Sequence, residues 1–154
     1  MAVRAPGELD LAALPELAGV LALLAHDEDP EPDHPAVPGG FARTVRLVRQ
    51  LGAAGVEAPL WCVTRDAARS PAQAMTWGFG RVAGFERPRA WGGLIDLPQP
   101  LDDTGQRRIA AVLLGDSHED QVRIDRDGAF GRRIVRAPRP RRAEETGRSA
   151  PLPW

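Results

Sequence analysis

Two of the side chains that enzymes use as proton donors, Tyr and Lys, are absent from this sequence. Its 154 residues include no Tyr, no Lys and no Asn, so all 20 Lys-plus-Arg positions are Arg. The single Cys, Cys62, lies in an apolar run, where a thiol usually behaves as a small buried apolar group. An enzyme that uses Cys62 or Thr64 at the end of a strand is therefore the weakest functional hypothesis.

A second group of reactive side chains lies between His26 and His34. This segment holds two His residues and five carboxylates, a donor set that zinc or a hard cation could use. Four Pro residues interrupt the stretch up to Pro38, and the order of the donors matches no established metal-binding loop. We therefore predict a rigid, solvated surface loop and no metal site.

Glycines are concentrated in the stretch from Gly78 to Gly84. Its sequence, GFGRVAG, misses the dinucleotide-binding pattern G-x-G-x-x-G by one residue and falls inside a predicted helix. A bound pyrophosphate needs a glycine turn between a strand and the beginning of a helix. We therefore predict no cofactor site here and assign these glycines to close helix packing.

Basic residues cluster near the C-terminus, at Arg132, Arg133, Arg136, Arg139, Arg141 and Arg142. Contact with phosphates is one interpretation of such a cluster. However, Glu144 and Glu145 dilute it, no aromatic residue interleaves with it for base stacking, and the formal net charge is −1. We predict a solvated linker and no nucleic-acid binding.

The length and composition favour one folded domain outside the membrane. A hydrophobic fraction of 43 % supports a core, and no apolar run reaches the roughly 20 residues of a membrane span. The N-terminus lacks the apolar stretch of a secretory signal. One Cys excludes an internal disulfide framework and a zinc site built from several thiolates. We expect a cytoplasmic protein.

Apolar runs of strand length alternate with helical patterns. We predict strands at Val20–Leu24, Leu60–Thr64 and Gly93–Leu97, because continuous apolar runs are typical of central strands covered on both faces. Three helices should separate and follow them, beginning near Pro38, at Ser70-Pro71 and at Asp102 or Asp103. The apolar residues at helical spacing are Phe41, Val45 and Val48 in the first, Met75, Phe79 and Val82 on one face of the second, and Ile109, Val112 and Leu113, facing inward, in the third.

The end of the folded part has the alternating pattern of a β-hairpin. Gln121–Asp125 alternates, Asp127-Gly128 is a turn signal, and Ala129–Val135 returns. The predicted fold is therefore α/β: a truncated, degenerate Rossmann-like parallel sheet with flanking helices and a C-terminal β-hairpin. We divide the chain into an N-terminal segment (1–18, weakly helical from Asp10), the folded subdomain (19–137) and a Pro/Arg-rich linker or tail (138–154).

Three blocks of the sequence, APLWCVTRDA, QAMTWGFGRVAGFERPRAWGGLIDLP and EDQVRIDRDGAFGRRIVRAP, stand in this order between about Gly19 and Pro138. In order and spacing they resemble the structural subdomain of ketoreductases in bacterial type I modular polyketide synthases. The resemblance implies two related Rossmann-like halves, of which the C-terminal half binds NADPH and holds the Ser, Tyr and Lys or Asn of the reaction. This chain resembles the N-terminal, non-catalytic half, a member of the short-chain dehydrogenase/reductase type of fold.

The resemblance also locates the missing chemistry. It places the helix from Gln73 to Glu86 where the catalytic half has its Tyr, and here that position reads Thr76-Trp77. A Thr hydroxyl is a poor general acid near neutral pH. We therefore expect no catalytic residue and no cofactor bound by this chain, with NADPH held by the partner half.

A surface for that partner is expected on the helices around 38–52 and 71–87. The candidate interface residues are Trp77, Phe79, Arg81 and Trp91, although the aromatic residues could equally belong to the core. The resemblance further implies that an earlier strand normally pairs with the terminal hairpin. Its absence would leave an open edge near Ile134, through which self-association is possible.

Three functional hypotheses follow. The first is a non-catalytic structural subdomain that stabilises the NADPH-dependent half of a polyketide synthase ketoreductase, which reduces carrier-bound β-ketoacyl intermediates. The second is an independent Rossmann-like module for ligand or protein binding without catalysis. The third is the Cys62 or Thr64 enzyme.

Overall fold

The computed structural model describes residues 17–115 and 118–136. Within these ranges, seven strands and three α-helices alternate along the chain. The strands are β1 (Val20–Ala22), β2 (Pro30–Glu31), β3 (His34–Pro38), β4 (Leu60–Arg65), β5 (Trp91–Leu97), β6 (Gln121–Ile124) and β7 (Ala129–Gly131). The helices are α1 (Gly39–Ala53), α2 (Pro71–Glu86) and α3 (Asp103–Leu113). The predicted tail from 138 onwards lies outside the described residues, as does nearly all of the helix expected over 10–18.

The main sheet has five strands in the order β1-β4-β5-β6-β7. The first four are parallel, and β7 returns antiparallel to β6, with Val122 opposite Gly131. This confirms the predicted α/β, Rossmann-like sheet with a C-terminal hairpin. The first apolar run was expected to be a central strand, and this is wrong: among the described strands, β1 lies at the edge of the sheet.

The two faces of the sheet carry different helices. Side chains alternate along each strand, so that Cys62 and Leu94 pack with α1 and α2, whereas Val63 and Ile95 pack with Val112 of α3. The strand order nevertheless advances in one direction from β1 to β6. The crossover through α3 therefore has the opposite hand to the crossovers through α1 and α2.

The residues predicted to cap the N-termini of α2 and α3 are confirmed. The Ser70 side chain accepts a hydrogen bond from the Gln73 backbone N–H and is followed by Pro71 at the first helical position, as expected for an N-cap. Asp102 does the same for α3, accepting from Gly105 at 2.7 Å. These caps fix where α2 and α3 begin, close to the ends of β4 and β5.

Several strand boundaries differ from the prediction. The first strand ends at Ala22, because the chain turns into a 3-10 helix at Leu24–His26. The third begins earlier, at Trp91, and the last ends at Gly131, four residues before Val135. In α3, Val112 is buried as expected, but Leu113 is 36 % exposed and does not face inward.

The acidic segment after His26 is more ordered than a surface loop. Strands β2 and β3 form a small antiparallel hairpin, which corrects the predicted loop. Asp27 pairs with Arg43, and Glu31 pairs with Arg46 at 2.9 Å, so that α1 holds the segment against its own flank. The guanidinium hydrogen bonds lower the pKa of both carboxyl groups.

Candidate functional site

Trp77 is an internal anchor of α2. Its indole is 8 % exposed, and its Nε1 donates a hydrogen bond to the Thr64 hydroxyl at 2.8 Å. The guanidinium of Arg132, which follows β7, lies 5.4 Å from the centre of the indole ring. Trp77 thus ties α2 to β4 and to the chain beyond the hairpin. This burial and these contacts support the alternative that Trp77 belongs to the core.

The Thr64 hydroxyl continues this contact into a buried polar network. It donates to Asp96 Oδ1 at 2.7 Å, and the same oxygen accepts the Ala67 backbone N–H at 3.0 Å. Thr64 is fully buried and Asp96 is 6 % exposed. The Thr64 oxygen thus acts as both a donor and an acceptor within this buried network.

Two of the three glycines of α2, Gly80 and Gly84, serve helix packing, as predicted, whereas Gly78 does not. A Cβ at Gly80 would lie 2.8 Å from side-chain atoms of Trp91 and Leu94, and one at Gly84 would lie 3.0 Å from Trp91. The helix therefore approaches β5 closely, and the Trp91 ring fills the space beside both glycines. Trp91 is partly buried in this contact and packs against the main core.

Phe79 and Arg81 lie nearer the surface. The Phe79 ring contacts Phe41 edge to face, with 6.0 Å between ring centres, and closes the seam between α1 and α2. Arg81 is exposed. Of the four predicted interface residues, Trp77 and Trp91 thus pack inside, Phe79 lies at the helix seam, and only Arg81 is fully at the surface.

The outward side of α2 carries an apolar stripe. Met75 is 36 % exposed, Val82 53 % and Phe85 88 %. Gly78 lies between them on the same side, and an added Cβ there would meet no atom within 4 Å. We call the side of α2 that carries Met75, Gly78, Val82 and Phe85 the outer helical face. The predicted Met75, Phe79 and Val82 pattern was real, but its face points away from the sheet.

Sequence reasoning missed Phe85 and Gly78 as parts of a surface. The signal was present, because positions 75, 78, 82 and 85 recur at helical spacing. The inner face of α2 is instead defined by Gln73, Thr76, Trp77, Gly80 and Ala83. Two of these are glycine and alanine and two are polar, so hydrophobicity alone assigns the wrong side of this helix to the core.

A cleft of about 530 Å³ opens at the carboxyl ends of the parallel strands. Its lining includes Glu28, Arg65, Arg69, Arg123 and Asp125. This is the edge where open α/β sheets bind ligands. The lining mixes both signs of charge, so the cleft has no clear preference for an anion or a cation.

Several polar groups at the cleft are already engaged within the chain. Glu28 Oε1 accepts from the Ser70 hydroxyl at 2.9 Å and from Gln73 Nε2 at 2.7 Å. Asp125 accepts two backbone N–H groups of the hairpin turn and pairs with Arg123. These contacts hold the loops of the cleft together.

His26 and Cys62 are of the residue types that form a base and a nucleophile in cysteine enzymes. Burial, and then the charge of Arg65, lowers the pKa of His26, whereas burial raises the pKa of Cys62 to about 12. Cys62 is 1 % exposed on a central strand. Its thiol stays protonated near neutral pH, where a thiolate would be the reactive form.

The described residues offer no obvious site for a metal or a dinucleotide. Within 17–115 and 118–136, no group of three or more His, Cys, Asp or Glu side chains is placed to hold a metal ion. The glycine-rich stretch lies inside α2, not at its beginning. No helix in the described part of the chain is long and apolar enough to cross a membrane.

The basic segment after the hairpin is only partly described. Arg133 pairs with Glu119, and Arg132 stacks on Trp77 as noted above. Ile134 and Val135 are 89 % and 79 % exposed beside the edge strand β7. Arg139, Arg141 and Arg142 lie outside the described residues, so the linker prediction stays a prediction.

Known proteins resemble this chain over most of its length. No protein-family model matches the chain. It is 49 % identical over 143 residues to the pikromycin polyketide synthase component PikAII of Streptomyces venezuelae, and 44 % identical over 131 residues to the erythronolide synthase EryA2 of Saccharopolyspora erythraea. These alignments cover 87 % and 79 % of the chain but only 4 % of each relative.

Solved structures show that the matching part of these polyketide synthases is a ketoreductase. An A1-type ketoreductase superposes with a TM-score of 0.79 at 40 % identity, and a C2-type ketoreductase from a modular polyketide synthase with 0.78 at 49 %. The chain is a homologue of part of a modular polyketide synthase ketoreductase. Both superpositions include 83 % of this chain, but only 29 % of the A1-type and 30 % of the C2-type ketoreductase. The predicted resemblance is therefore confirmed for a partial ketoreductase subdomain.

Proposed function

We propose that this chain is the structural, non-catalytic half of a polyketide synthase ketoreductase. In this role, residues 19–137 form the folded unit and 138–154 lead onwards as a linker. The unit stabilises a catalytic half that binds NADPH and reduces carrier-bound β-ketoacyl intermediates in the cytoplasm. This chain supplies no catalytic residue and binds no cofactor.

The observation that carries the proposal is the environment of α2. The family resemblance places the catalytic Tyr of the other half on the equivalent helix, where this chain has Thr76 and Trp77. Trp77 is committed to Thr64 and to the core, and the buried Thr76 hydroxyl has no hydrogen-bond partner among the described residues. Thr76 and Trp77 are both buried where α2 packs against the sheet.

The experiment compares the chain alone with the chain and its partner. NADPH binding is titrated by cofactor fluorescence, and reduction of a β-ketoacyl thioester is followed by loss of NADPH absorbance. We expect neither binding nor reduction from the chain alone. We expect a catalytic half produced without it to gain stability and activity when the chain is added. Reduction by the isolated chain would contradict the proposal.

A second candidate is an independent binding module. The cleft at the carboxyl ends of β4, β5 and β6 supports it, because this edge can hold a ligand whether or not a catalytic half is present. The same mixing experiment distinguishes the two. A chain that binds no catalytic half, yet is stabilised against heat by a small molecule seated in the cleft, favours the module.

A further inference from the structure

Residues 26–38, between the end of the 3-10 helix and the beginning of α1, form a layer of their own, which we call the acidic strap. Its strands β2 and β3 pair with each other and not with the five-stranded main sheet. Two backbone hydrogen bonds join it to the start of α1. Gly39 N–H donates to the Asp29 carbonyl at 2.7 Å, and Gly40 N–H donates to the Asp27 carbonyl at 2.9 Å. The remaining attachment depends on side chains.

Two carboxylates of the strap hold it against two different helices. Glu28 Oε1 accepts hydrogen bonds from the Ser70 hydroxyl at 2.9 Å and from Gln73 Nε2 at 2.7 Å, at the beginning of α2. Asp27 pairs with Arg43 of α1, and this hydrogen bond lowers the pKa of the Asp27 carboxyl below its ordinary 3.8. Both attachments are strongest when the carboxyl groups are ionised.

His26 stands where the strap meets the ends of the parallel strands. Its ring is half-buried, and the buried Nε2 atom has no hydrogen-bond partner among the described residues, as is also true of Arg65 Nε. Burial, and then the charge of Arg65, lowers the pKa of His26 below its ordinary 6.5. The Thr64 backbone, Asp96 and Glu28 act in the opposite sense, but their combined effect is smaller. This position therefore favours the neutral ring.

Acid weakens all three attachments in the same direction. A proton on His26 makes both ring nitrogens donors and adds a second positive charge near that of Arg65. Because the pKa of His26 is lowered in the folded chain, the stability that it contributes is complete above pH 6.5 and is lost as pH falls below that value. The Asp27 pair with Arg43 weakens only below pH 3.8. His26 is thus the first of these groups to respond as pH falls.

We infer that the acidic strap is an acid-released closure of one side of the cleft, held at neutral pH and detached from the end of β4 when the His26 ring is protonated. Glu28 lines the cleft, so detachment opens the cleft on that side. Neither of the two described core clusters includes a strap residue, so the strap can detach without unfolding of the core. The release is independent of the structural role proposed above, because it takes place within this chain.

Amide hydrogen exchange on the 154-residue chain tests this release. The reporters are the N–H groups of Gly39 and Gly40, and the reference is the N–H of Leu94 in the main sheet. Protection factors, which correct for the chemical effect of pH on exchange, are compared at about pH 7.5 and about pH 5.5. We expect the factors of Gly39 and Gly40 to fall about three- to tenfold at the lower pH, and that of Leu94 to change less than about twofold.

Three variants assign the effect to single groups. His26→Gln keeps a polar side chain that cannot titrate, so the difference between the two pH values should disappear. His34→Gln changes an exposed His on β3 of the same strap and is the matched control, which should keep the full difference. Asp27→Asn removes the ion pair with Arg43 at every pH and should lower the protection of Gly40 about threefold even at neutral pH.

An NMR titration of the His26 ring protons in the wild-type chain needs no variant. Its midpoint should lie below pH 6.5 and coincide with the pH at which Gly39 and Gly40 lose protection. Equal protection of the two glycines at both pH values overturns the acid-released strap, and so does a full pH effect that persists in His26→Gln. A parallel loss at Leu94 also overturns it, because the whole fold then opens. None of these results changes the structural role in a ketoreductase, which is tested by association with a catalytic half.

Discussion

The indole N–H of Trp77 donates a 2.8 Å hydrogen bond to the hydroxyl of Thr64 inside the sheet–helix layer. Thr64 in turn donates to Asp96, so that one buried chain of hydrogen bonds links α2, β4 and β5. This link explains why a large aromatic residue stands on a helix whose other inward positions are small or polar.

Removing the indole donor should destabilise the fold. Trp77→Phe leaves Thr64 without its N–H partner and removes part of the ring, which should cost about 1–3 kcal/mol in the free energy of unfolding. Urea denaturation of both single variants and the double variant of Trp77→Phe and Thr64→Val measures the coupling. We expect about 1 kcal/mol of non-additivity. Strictly additive effects would show that the hydrogen bond contributes nothing.

Two glycines of one helix should respond oppositely to the same substitution. Gly80→Ala places a Cβ 2.8 Å from Trp91 and Leu94, and this overpacking should cost about 1–3 kcal/mol. Gly78→Ala meets open space and should stabilise the isolated chain by about 0.5–1 kcal/mol, because Ala is the better helix former. Thermal unfolding of the pair tests this, and equal shifts of Tm would refute it.

Arg87 should be the main polar tie between the C-terminal ends of α1 and α2. Its guanidinium donates to the Val48 carbonyl at 2.9 Å and to the Val56 carbonyl at 3.2 Å. Arg87→Met retains much of the apolar stem but loses both bonds, and we expect a loss of about 1–3 kcal/mol. Arg89→Met, at an exposed position two residues before β5 begins, is the control and should lie within about 0.5 kcal/mol of wild type.

Alkaline pH should destabilise the chain through Cys62. Its pKa is about 12 in the folded protein because of burial, and it returns to roughly 8.5–9 on unfolding. A raised folded pKa contributes stability that is complete below the unfolded pKa and is lost as pH rises above it. Unfolding at pH 10.5 should therefore be easier than at pH 8 by about 2 kcal/mol.

The absence of Lys and Tyr makes this test unusually clean, since neither titrates in the same window. Cys62→Ala should flatten the alkaline dependence, whatever its own effect on stability at pH 8. Iodoacetamide gives a second readout, because the folded thiol should react only after unfolding. Rapid alkylation of the native chain would contradict the buried, protonated state.

The sequence by itself determined the order and type of most elements. The apolar runs predicted the strands that became β4 and β5, Ser70-Pro71 and Asp102 located the beginnings of α2 and α3, and Asp127-Gly128 located the hairpin turn. These features depend on neighbouring residues, because caps, turns and continuous apolar runs act within a few positions. The absence of Tyr and Lys likewise needed no structure.

Only the tertiary structure decided which side of a helix faces the sheet and which strand stands at an edge. The hydrophobic pattern of α2 marks a face with Met75 and Val82 without saying where that face points, whereas the structure turns Gly80 and Ala83 towards the sheet, where Trp91 and Leu94 fill the space beneath the helix. The acidic segment forms a hairpin beside α1, whose Arg43 and Arg46 pair with its carboxylates Asp27 and Glu31. Such outcomes depend on residues far apart in sequence, whose volumes and charges meet only when the sheet is assembled.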